Sequence, residues 1–184
     1  MSRIDLRLET PRLLLRPPQR EDFEPWAAFS ADELATRHIG GAQVRPIAWR
    51  NFLTMVGAWQ IQGFGFFSVI EKATGQWVGR LGPWMPDGWP GTEVGWSLVR
   101  AAWGKGYATE GATAAMDWAV ATLGWSEVIH TIDPANEASK AVARRLGSRL
   151  LRMGHLPAPA DFDVEIWGQS REEWLARRAA PVPA

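Results

Sequence analysis

The sequence predicts a single α/β domain built on a mixed sheet, mostly antiparallel with one parallel strand pair and flanked by helices. Residues 66–81 contain two β-rich runs joined by a tight turn, which indicates an antiparallel hairpin. Residues 92–132 read strand, helix, strand, and this order requires a parallel pair. The chain has 184 residues, 46% of them apolar, and no internal repeat or linker. We therefore predict one domain over residues 1–184, with a core at about 10–170.

The first third of the chain predicts one strand and two helices. A strand at 12–16 ends at Pro17 and Pro18, because proline cannot continue a strand interior. Asp22 is a candidate N-cap for a short helix through Phe29. Apolar residues at helical spacing predict a longer helix over 47–60.

The middle of the chain predicts the hairpin and a third strand. Its strands are 66–71 and 76–81, joined by KATG with glycine at the turn position. Residues 82–91 (GPWMPDGWPG) form a loop by composition, and TEVGWSLV predicts a strand at 92–99.

The remaining elements follow from periodicity and from helix-ending glycines. We predict a helix at 109–123, a strand at 126–132, a helix at 136–146, closing strands at 148–152 and 163–167 around a PAPA loop (157–160), and frayed residues at 179–184.

Composition excludes several classes of function. Lys plus Arg and Asp plus Glu both number 20, so there is no basic excess and we expect no nucleic-acid partner. The chain has no cysteine, which excludes disulfides and zinc–thiolate sites, and its three histidines lie far apart, so we expect no metal. The N-terminus has no apolar h-region and no run is long enough to span a membrane. We therefore expect a cytoplasmic protein without membrane contact.

The stretch WGKGYATEG, from Trp103 to Gly111, joins a predicted strand to a predicted helix. Gly104 and Gly106 permit backbone conformations that turn successive N–H groups inward, and a helix N-terminus adds further free N–H groups. This arrangement favours phosphate binding, although an ordinary tight connection would look similar. No P-loop occurs, and Thr109 replaces the third glycine of the dinucleotide fingerprint, so a dinucleotide enzyme is the lesser alternative.

From Glu93 the chain reads EVGWSLVRAAWGKGYATEGATAAMDWAVATLGWSEVIHTIDPANEASKAVARRLG. This resembles the acyl-CoA-binding core of the GNAT N-acetyltransferase superfamily, and most closely the branch that includes the ribosomal-protein N-terminal acetyltransferases. That branch shows an EIGYWL-like strand, WGKGYATEA, DPxN and S…V…LGF. TPRLLLRPPQREDFEPW and FSVIEKATGQWVGRLG also resemble its opening, so the resemblance covers about residues 10–147.

The resemblance implies a GNAT-like fold in which the strands at 93–99 and 126–132 splay apart. Pantetheine would pair with the first strand like an added β-strand, contacting Leu98 and Val99. A backbone N–H near Leu98 would polarise the thioester carbonyl. The pyrophosphate would lie against six residues: Trp103, Gly104, Lys105, Gly106, Tyr107 and Ala108. The chain departs from the superfamily at Ala101, where relatives carry Gln or Arg.

The implied activity is acetyl transfer from acetyl-CoA to a primary amine by direct attack in a ternary complex. The acceptor is either a protein N-terminus or a small-molecule amine, and a homodimer is compatible with the sequence. The alternative is a non-catalytic acyl-CoA-binding or sensing domain on the same fold. Ala101 and the lack of the tyrosine that many relatives use as an acid keep that alternative open.

Four residues are candidates for handling protons and the cofactor. Glu93, at the position of the family's strand glutamate, is the first candidate for general base, and His130 is the alternative. Ser139 matches the branch's serine and would hydrogen-bond the departing sulfur. Asn136 would contact pantetheine or an ordered water. Helix capping is the competing interpretation for Asn136 and Ser139. The single tyrosine, Tyr107, lies in the glycine loop and cannot take the acid role.

Overall fold

The computed structural model of the protein describes residues 5–180, and in that part of the chain eight strands form one sheet. The strand order is β1-β2-β3-β4-β5-β6-β8-β7. The strands are β1 Leu8–Glu9, β2 Leu13–Arg16, β3 Phe67–Glu71, β4 Trp77–Trp84, β5 Glu93–Leu98, β6 Glu127–Ile132, β7 Arg149–His155 and β8 Asp163–Ser170.

Neighbouring strands are antiparallel except for β5 and β6, which are parallel. This confirms the predicted mixed α/β sheet and its single parallel pair. The parallel pair is connected through a helix, as chain geometry requires.

Six helices flank the sheet in the described residues. They are α1 Phe23–Ser30, α2 Glu33–Thr36, α3 Arg45–Ile61, α4 Tyr107–Trp118, α5 Glu137–Leu146 and α6 Arg171–Ala179. A π-helical turn, Ala119–Leu123, extends α4, and Gly124 ends it in the left-handed conformation.

Several predicted boundaries need correction. The helix after the glycine loop begins at Tyr107 rather than 109, and β4 continues to Trp84, inside the segment predicted as a loop. Sequence reasoning missed β1, α2 and α6. Ala179, predicted to fray, is the last residue of α6, and residues 181–184 lie outside the described residues.

Asp22 is buried and has a different role from the predicted helix cap. Its side chain makes no capping hydrogen bond to α1. It accepts from both terminal nitrogens of Arg16 at 2.7 and 2.9 Å and from the Ser68 hydroxyl at 2.7 Å. The carboxylate therefore ties α1 to β2 and β3.

Two apolar clusters hold helices against the sheet. In the larger, α4 residues such as Ala112 and Met116 pack on β2 and β4 around Leu13 and Leu81. In the second, aromatic residues of α1 and α3 pack on Phe66 and Trp77. The second cluster forms one wall of the cavity described below.

Gly79 allows β4 and β5 to approach closely. Its φ is +152°, and an added Cβ would lie 2.4 Å from the Ser97 carbonyl oxygen. We expect Gly79→Ala to lower the free energy of unfolding by about 1–3 kcal/mol, because the backbone of β4 or of β5 must shift to make room for the new Cβ. Urea denaturation followed by far-UV circular dichroism measures the change.

Gly57→Ala is the matched control, since Gly57 lies inside α3 and an added Cβ there meets nothing within 4 Å. This variant should unfold at an equal or higher urea concentration, because alanine favours helix over glycine. Equal stability of both variants would contradict the close-approach argument.

Candidate active site

The strands β5 and β6 separate almost as soon as they meet. Glu93 and Ile129 are the one registered pair between them in the described chain, and the Ile129 N–H donates to the Thr92 carbonyl at 2.9 Å. Beyond this point β5 pairs with β4 alone. The edge of β5 that faces β6 therefore carries backbone groups without strand partners.

Other groups occupy part of this edge. His130 Nδ1 lies 2.6 Å from the Val94 carbonyl oxygen, and Trp103 Nε1 donates to the Leu98 carbonyl at 2.9 Å. The Val99 N–H donates to the Val78 carbonyl of β4 at 3.0 Å, so this amide is not free for pantetheine. Because strand amides alternate in direction, the Leu98 N–H faces the gap. A cofactor contact at Leu98 stays a prediction.

The glycine loop has the backbone geometry that its sequence predicts. Gly104 and Gly106 have φ of +72° and +80°, in the left-handed region that favours glycine, and Gly106 is the N-cap of α4. Among the described residues, the N–H groups of 104–109 have no hydrogen-bond acceptor. An added Cβ at Gly104 meets nothing within 4 Å. The loop is thus an open concavity of free donors at a helix N-terminus, suited to a phosphate group.

Side chains fix this loop from behind. Arg12 donates to the Lys105 carbonyl at 2.8 Å and pairs with Glu110 at 2.6 Å. The Tyr107 hydroxyl donates to Glu71 at 2.6 Å, and Lys105 Nζ lies 3.6 Å from the same carboxylate. Tyr107 is therefore buried as a structural residue, which agrees with its exclusion as a catalytic acid.

The two ends of the loop differ in burial. The Trp103 side chain is half exposed, whereas Ala108 is partly buried against the core of α4. A contact of Trp103 or Ala108 with the pyrophosphate stays a prediction.

A cavity of about 760 Å³ lies where β5 and β6 diverge. Its walls come from α1, α3, the loop after β4 and the start of α5. Trp84 and Trp89 line it, whereas Met85, which follows Trp84 in the sequence, is not among its lining residues. Glu93, His130, Asn136 and Ser139 share this cavity. The fold thus brings together four candidates that are up to 46 positions apart in the sequence.

Glu93 is 5% exposed and lies at the fork between β5 and β6. One carboxylate oxygen accepts from Trp89 Nε1, and both oxygens lie 3.0 Å from the Thr131 hydroxyl. Burial raises the pKa of Glu93 to about 7, against the opposing effect of these donors and of nearby Arg80. A carboxylate with a pKa near neutrality can both accept and release a proton under ordinary conditions.

The raised pKa of Glu93 also affects stability. Between its ordinary pKa of 4.5 and about 7, the native protein holds a proton that the unfolded chain releases. The contribution of Glu93 to stability therefore falls as pH rises through this window, and it is lowest above pH 7.

His130 is a structural residue in this geometry. It is 1% exposed, and burial lowers its pKa to about 4. Because the Val94 carbonyl can only accept, Nδ1 carries the proton and Nε2 accepts from Ser148 Oγ at 3.0 Å. Both ring nitrogens are engaged, so the arrangement favours Glu93 over His130 as base.

Asn136 caps α5, as its competing interpretation held. Its side-chain oxygen accepts from the Ser139 N–H at 3.1 Å. The Ser139 hydroxyl is free of the cap and lies 3.3 Å from Trp96 Nε1, which donates to it. The Ser139 hydroxyl proton thus stays free to point into the cavity.

Among the cavity residues that sequence reasoning missed are Trp26, Arg80 and Thr131, of which Thr131 bonds to Glu93 and Trp26 lies against Arg80. Arg80 lies in an otherwise apolar strand, VGRLG, and this isolated charge is the signal that would have identified it. Trp26 and Thr131 carry no comparable local signal.

Residues 5–180 contain neither a cluster of metal-ligating side chains nor a helix that could span a membrane. No group of three or more His, Cys, Asp or Glu side chains is arranged to hold a metal ion. No helix in this part of the chain is long and apolar enough to cross a membrane.

Comparison with known proteins identifies the family. The profile described as "Acetyltransferase (GNAT) domain" matches residues 12–149, which is three quarters of the chain. The chain therefore belongs to the GNAT acetyltransferase superfamily, as its sequence resemblance implied. A search of curated proteins gave no match.

Solved structures agree with this assignment. An acetyltransferase from Agrobacterium tumefaciens is 31% identical, with a TM-score of 0.79, over 89% of this chain and 94% of that one. A GNAT-family acetyltransferase from Bacillus anthracis is 22% identical, with a TM-score of 0.77, over 91% and 99%. The ribosomal-protein-S5-alanine acetyltransferase from Vibrio fischeri is 18% identical, with a TM-score of 0.70, over 92% and 99%, and supports the fold.

Trp89 donates the hydrogen bond that most opposes the effect of burial on Glu93. We expect Trp89→Phe to raise the pKa of Glu93 above about 7, because the ionised form loses a donor. A ¹³C NMR titration of glutamate-labelled protein measures this, with Glu93→Gln used to assign the resonance.

Trp103→Phe is the control, since it removes an indole donor that bonds the Leu98 carbonyl instead. The Glu93 titration should be unchanged in this variant. If the pKa of Glu93 is also unchanged in Trp89→Phe, the hydrogen bond from Trp89 does not lower that pKa as proposed.

Proposed function

We propose that this chain transfers an acetyl group from acetyl-CoA to a primary amine by direct attack in a ternary complex. The observation that supports this most strongly is the position of Glu93. Its carboxylate faces a large cavity at the fork of β5 and β6 and has a pKa of about 7. Family membership supports acetyl transfer, and the site geometry supports the finer proposal.

The residues at the fork fit acetyl-CoA. The free N–H groups of 104–109 would hold the pyrophosphate, because a helix N-terminus and a left-handed glycine turn both favour anions. The Leu98 N–H would donate to the pantetheine or the thioester carbonyl. Acetyl-CoA, when bound there, supplies the acetyl group as a thioester. Asn136 is engaged in capping through its oxygen, which leaves its amide nitrogen for a ligand.

Glu93 would make the acceptor nucleophilic. An amine attacks only in its neutral form, and the pKa of a lysine-like amine is about 10.4. The Glu93 carboxylate would accept the amine proton directly or through one water, and its raised pKa makes it an effective acceptor near pH 7. The neutral amine forms the C–N bond as the C–S bond breaks, and the thiolate takes the proton that the new amide nitrogen loses, directly or through water. Glu93 then releases its own proton to solvent.

Ser139 would stabilise the departing thiolate by a hydrogen bond. The Trp96 indole donates to the Ser139 oxygen and leaves the hydroxyl proton free to hydrogen-bond a thiolate. A thiolate of cysteine-like pKa, about 8.5, needs only modest help of this kind. Catalysis would rest mainly on holding amine and thioester together in the cavity.

A non-catalytic acyl-CoA-binding domain is the competing proposal. It fits the glycine loop equally well, and the buried Glu93 with its raised pKa is what favours an enzyme. A small-molecule amine or a protein N-terminus as acceptor, a homodimer and a cytoplasmic location all belong to the same proposal.

Glu93→Gln keeps the shape of the side chain and removes the base. We expect kcat/KM for acetyl transfer to fall by about 10²-fold or more, with acetyl-CoA affinity within about twofold of wild type. Release of the CoA thiol over a panel of amines measures activity. In wild type, kcat/KM should rise with pH through about 7, the pKa of Glu93, because the ionised form is the base.

Unchanged activity in Glu93→Gln would reject Glu93 as the base. Acetyl-CoA binding without turnover of any amine would favour the non-catalytic domain.

Gly104 tests the phosphate site. We expect Gly104→Asp to weaken CoA binding by about tenfold or more. The aspartate carboxylate would compete with the pyrophosphate for the free N–H donors and would repel its negative charge. Gly104→Asn is the matched control, since asparagine has nearly the same shape, adopts the left-handed conformation and carries no charge. Calorimetric titration with CoA measures both, and equal losses would show that the effect is steric rather than electrostatic.

A further inference from the structure

Arg80 lines the cavity and makes no direct ion pair with a carboxylate of the described residues, although Glu93 attracts it electrostatically. Its guanidinium carbon lies 5.0 Å from the centre of the Trp26 ring and 4.8 Å from the centre of the Phe66 ring. The guanidinium therefore stacks on both aromatic rings. Stacking leaves the N–H donors at the edge of the guanidinium free. In the described chain their one acceptor is the Met55 sulfur at 3.9 Å, and Nε is buried without a partner.

Trp26 adds a second orphaned donor at the same place. Its indole nitrogen is buried and has no acceptor in the described residues, although it is beside the Arg80 guanidinium. Buried donors without partners are rare because each loses its water without compensation. Two adjacent ones in a cavity indicate a ligand group that accepts hydrogen bonds.

The Glu93 carboxylate attracts Arg80 electrostatically but makes no hydrogen bond or ion pair with it in the described residues. Its hydrogen bonds come from Trp89 and Thr131 instead. Arg80 and Glu93 line the same cavity. Gly95 lies between Glu93 and Phe66: an added Cβ there would be 3.0 Å from the Glu93 carboxylate and 3.1 Å from the Phe66 ring. The absent side chain at Gly95 thus keeps the space beside the carboxylate open.

The remaining charged groups of the lining do not compete for Arg80. His38 pairs with Asp133 at 2.7 Å, while Asp87 and Arg50 are exposed on the surface. No carboxylate of the described residues forms an ion pair with Arg80. An anion that hydrogen-bonds directly to the Arg80 guanidinium would therefore come from the ligand.

We propose that the amine acceptor carries a carboxylate, which binds the Arg80 guanidinium and the Trp26 indole N–H while its amine faces Glu93. A planar guanidinium matches a carboxylate, which accepts two parallel hydrogen bonds, better than a single neutral carbonyl. The acceptor class is thus a free amino acid or a related amino carboxylate, with aromatic walls suited to an apolar side chain. This inference rests on the proposed acetyltransferase function and narrows its acceptor.

Matched acceptor pairs test the proposal. Each of a series of amino acids (glycine, β-alanine, leucine, phenylalanine, tryptophan) is compared with its primary amide, by release of the CoA thiol. For at least one pair we expect kcat/KM at least about tenfold higher for the carboxylate form, and we expect Arg80→Gln to abolish this ratio. Arg80→Lys should retain part of it, because the charge remains and the fork geometry is lost.

Two further variants provide a second test and a control. Trp26→Phe keeps the aromatic ring and removes only the orphaned donor, so it should reduce the ratio even if Arg80→Gln fails to fold. Arg7→Gln removes an exposed arginine outside the cavity lining and should leave the ratio unchanged. Far-UV circular dichroism melting curves confirm that each variant is folded.

Binding of the acetylated products separates this inference from the proposed function. Calorimetric titration compares each N-acetyl amino acid with its N-acetyl amide, with no turnover required. Turnover of amines with no carboxylate preference overturns the inference and leaves the function standing. Carboxylate-selective binding that Arg80→Gln abolishes, without turnover of any amine, supports Arg80 as a carboxylate site but rejects the proposed function, and with it the assignment of the bound molecule as an acceptor. Absence of selectivity in both assays overturns the inference.

Discussion

The divergence of β5 from β6 is the constraint on which the rest of the site depends. Along the whole of β5 the ladder to β4 is intact, whereas the ladder to β6 stops after a single registered pair. A sheet rarely gives up interior hydrogen bonds, since unpaired backbone groups lose water without compensation. Here the interruption opens the cavity, places Glu93 at the fork, and aims the end of β5 at the glycine loop before α4.

Much of this organisation was predictable because its signals are local. A strand, a glycine turn, a helix and a second strand in that order require a parallel strand pair. Gly104 and Gly106 predict the left-handed turn that the structure contains. The helix start was misplaced because Tyr107, which sequence reasoning left in the loop, is held in the first turn of α4 by its bond to Glu71. That bond joins residues 36 positions apart and leaves no local pattern.

The acceptor side of the site was less predictable for the same reason. Trp26, Arg80 and Thr131 come from a helix and two strands, and only the sheet register and the packing of α1 bring them to one cavity. The roles of Asn136 and His130 also depend on partners that composition cannot reveal. An asparagine before a helix signals a cap or a ligand equally well, and the saturation of both nitrogens of His130 depends on Ser148, Gln169 and Val94.

The orphaned donors of Arg80 and Trp26, together with the desolvated carboxylate of Glu93, have a consequence for how this fold can evolve. Each group is less well solvated in the native protein than in the unfolded chain, so each weakens the native state while it waits for a ligand. Selection for heat resistance alone would replace such groups with apolar side chains of similar volume. Their presence makes the cavity a region where stability is given up for ligand binding, so the substrate-free protein should unfold locally there first on warming.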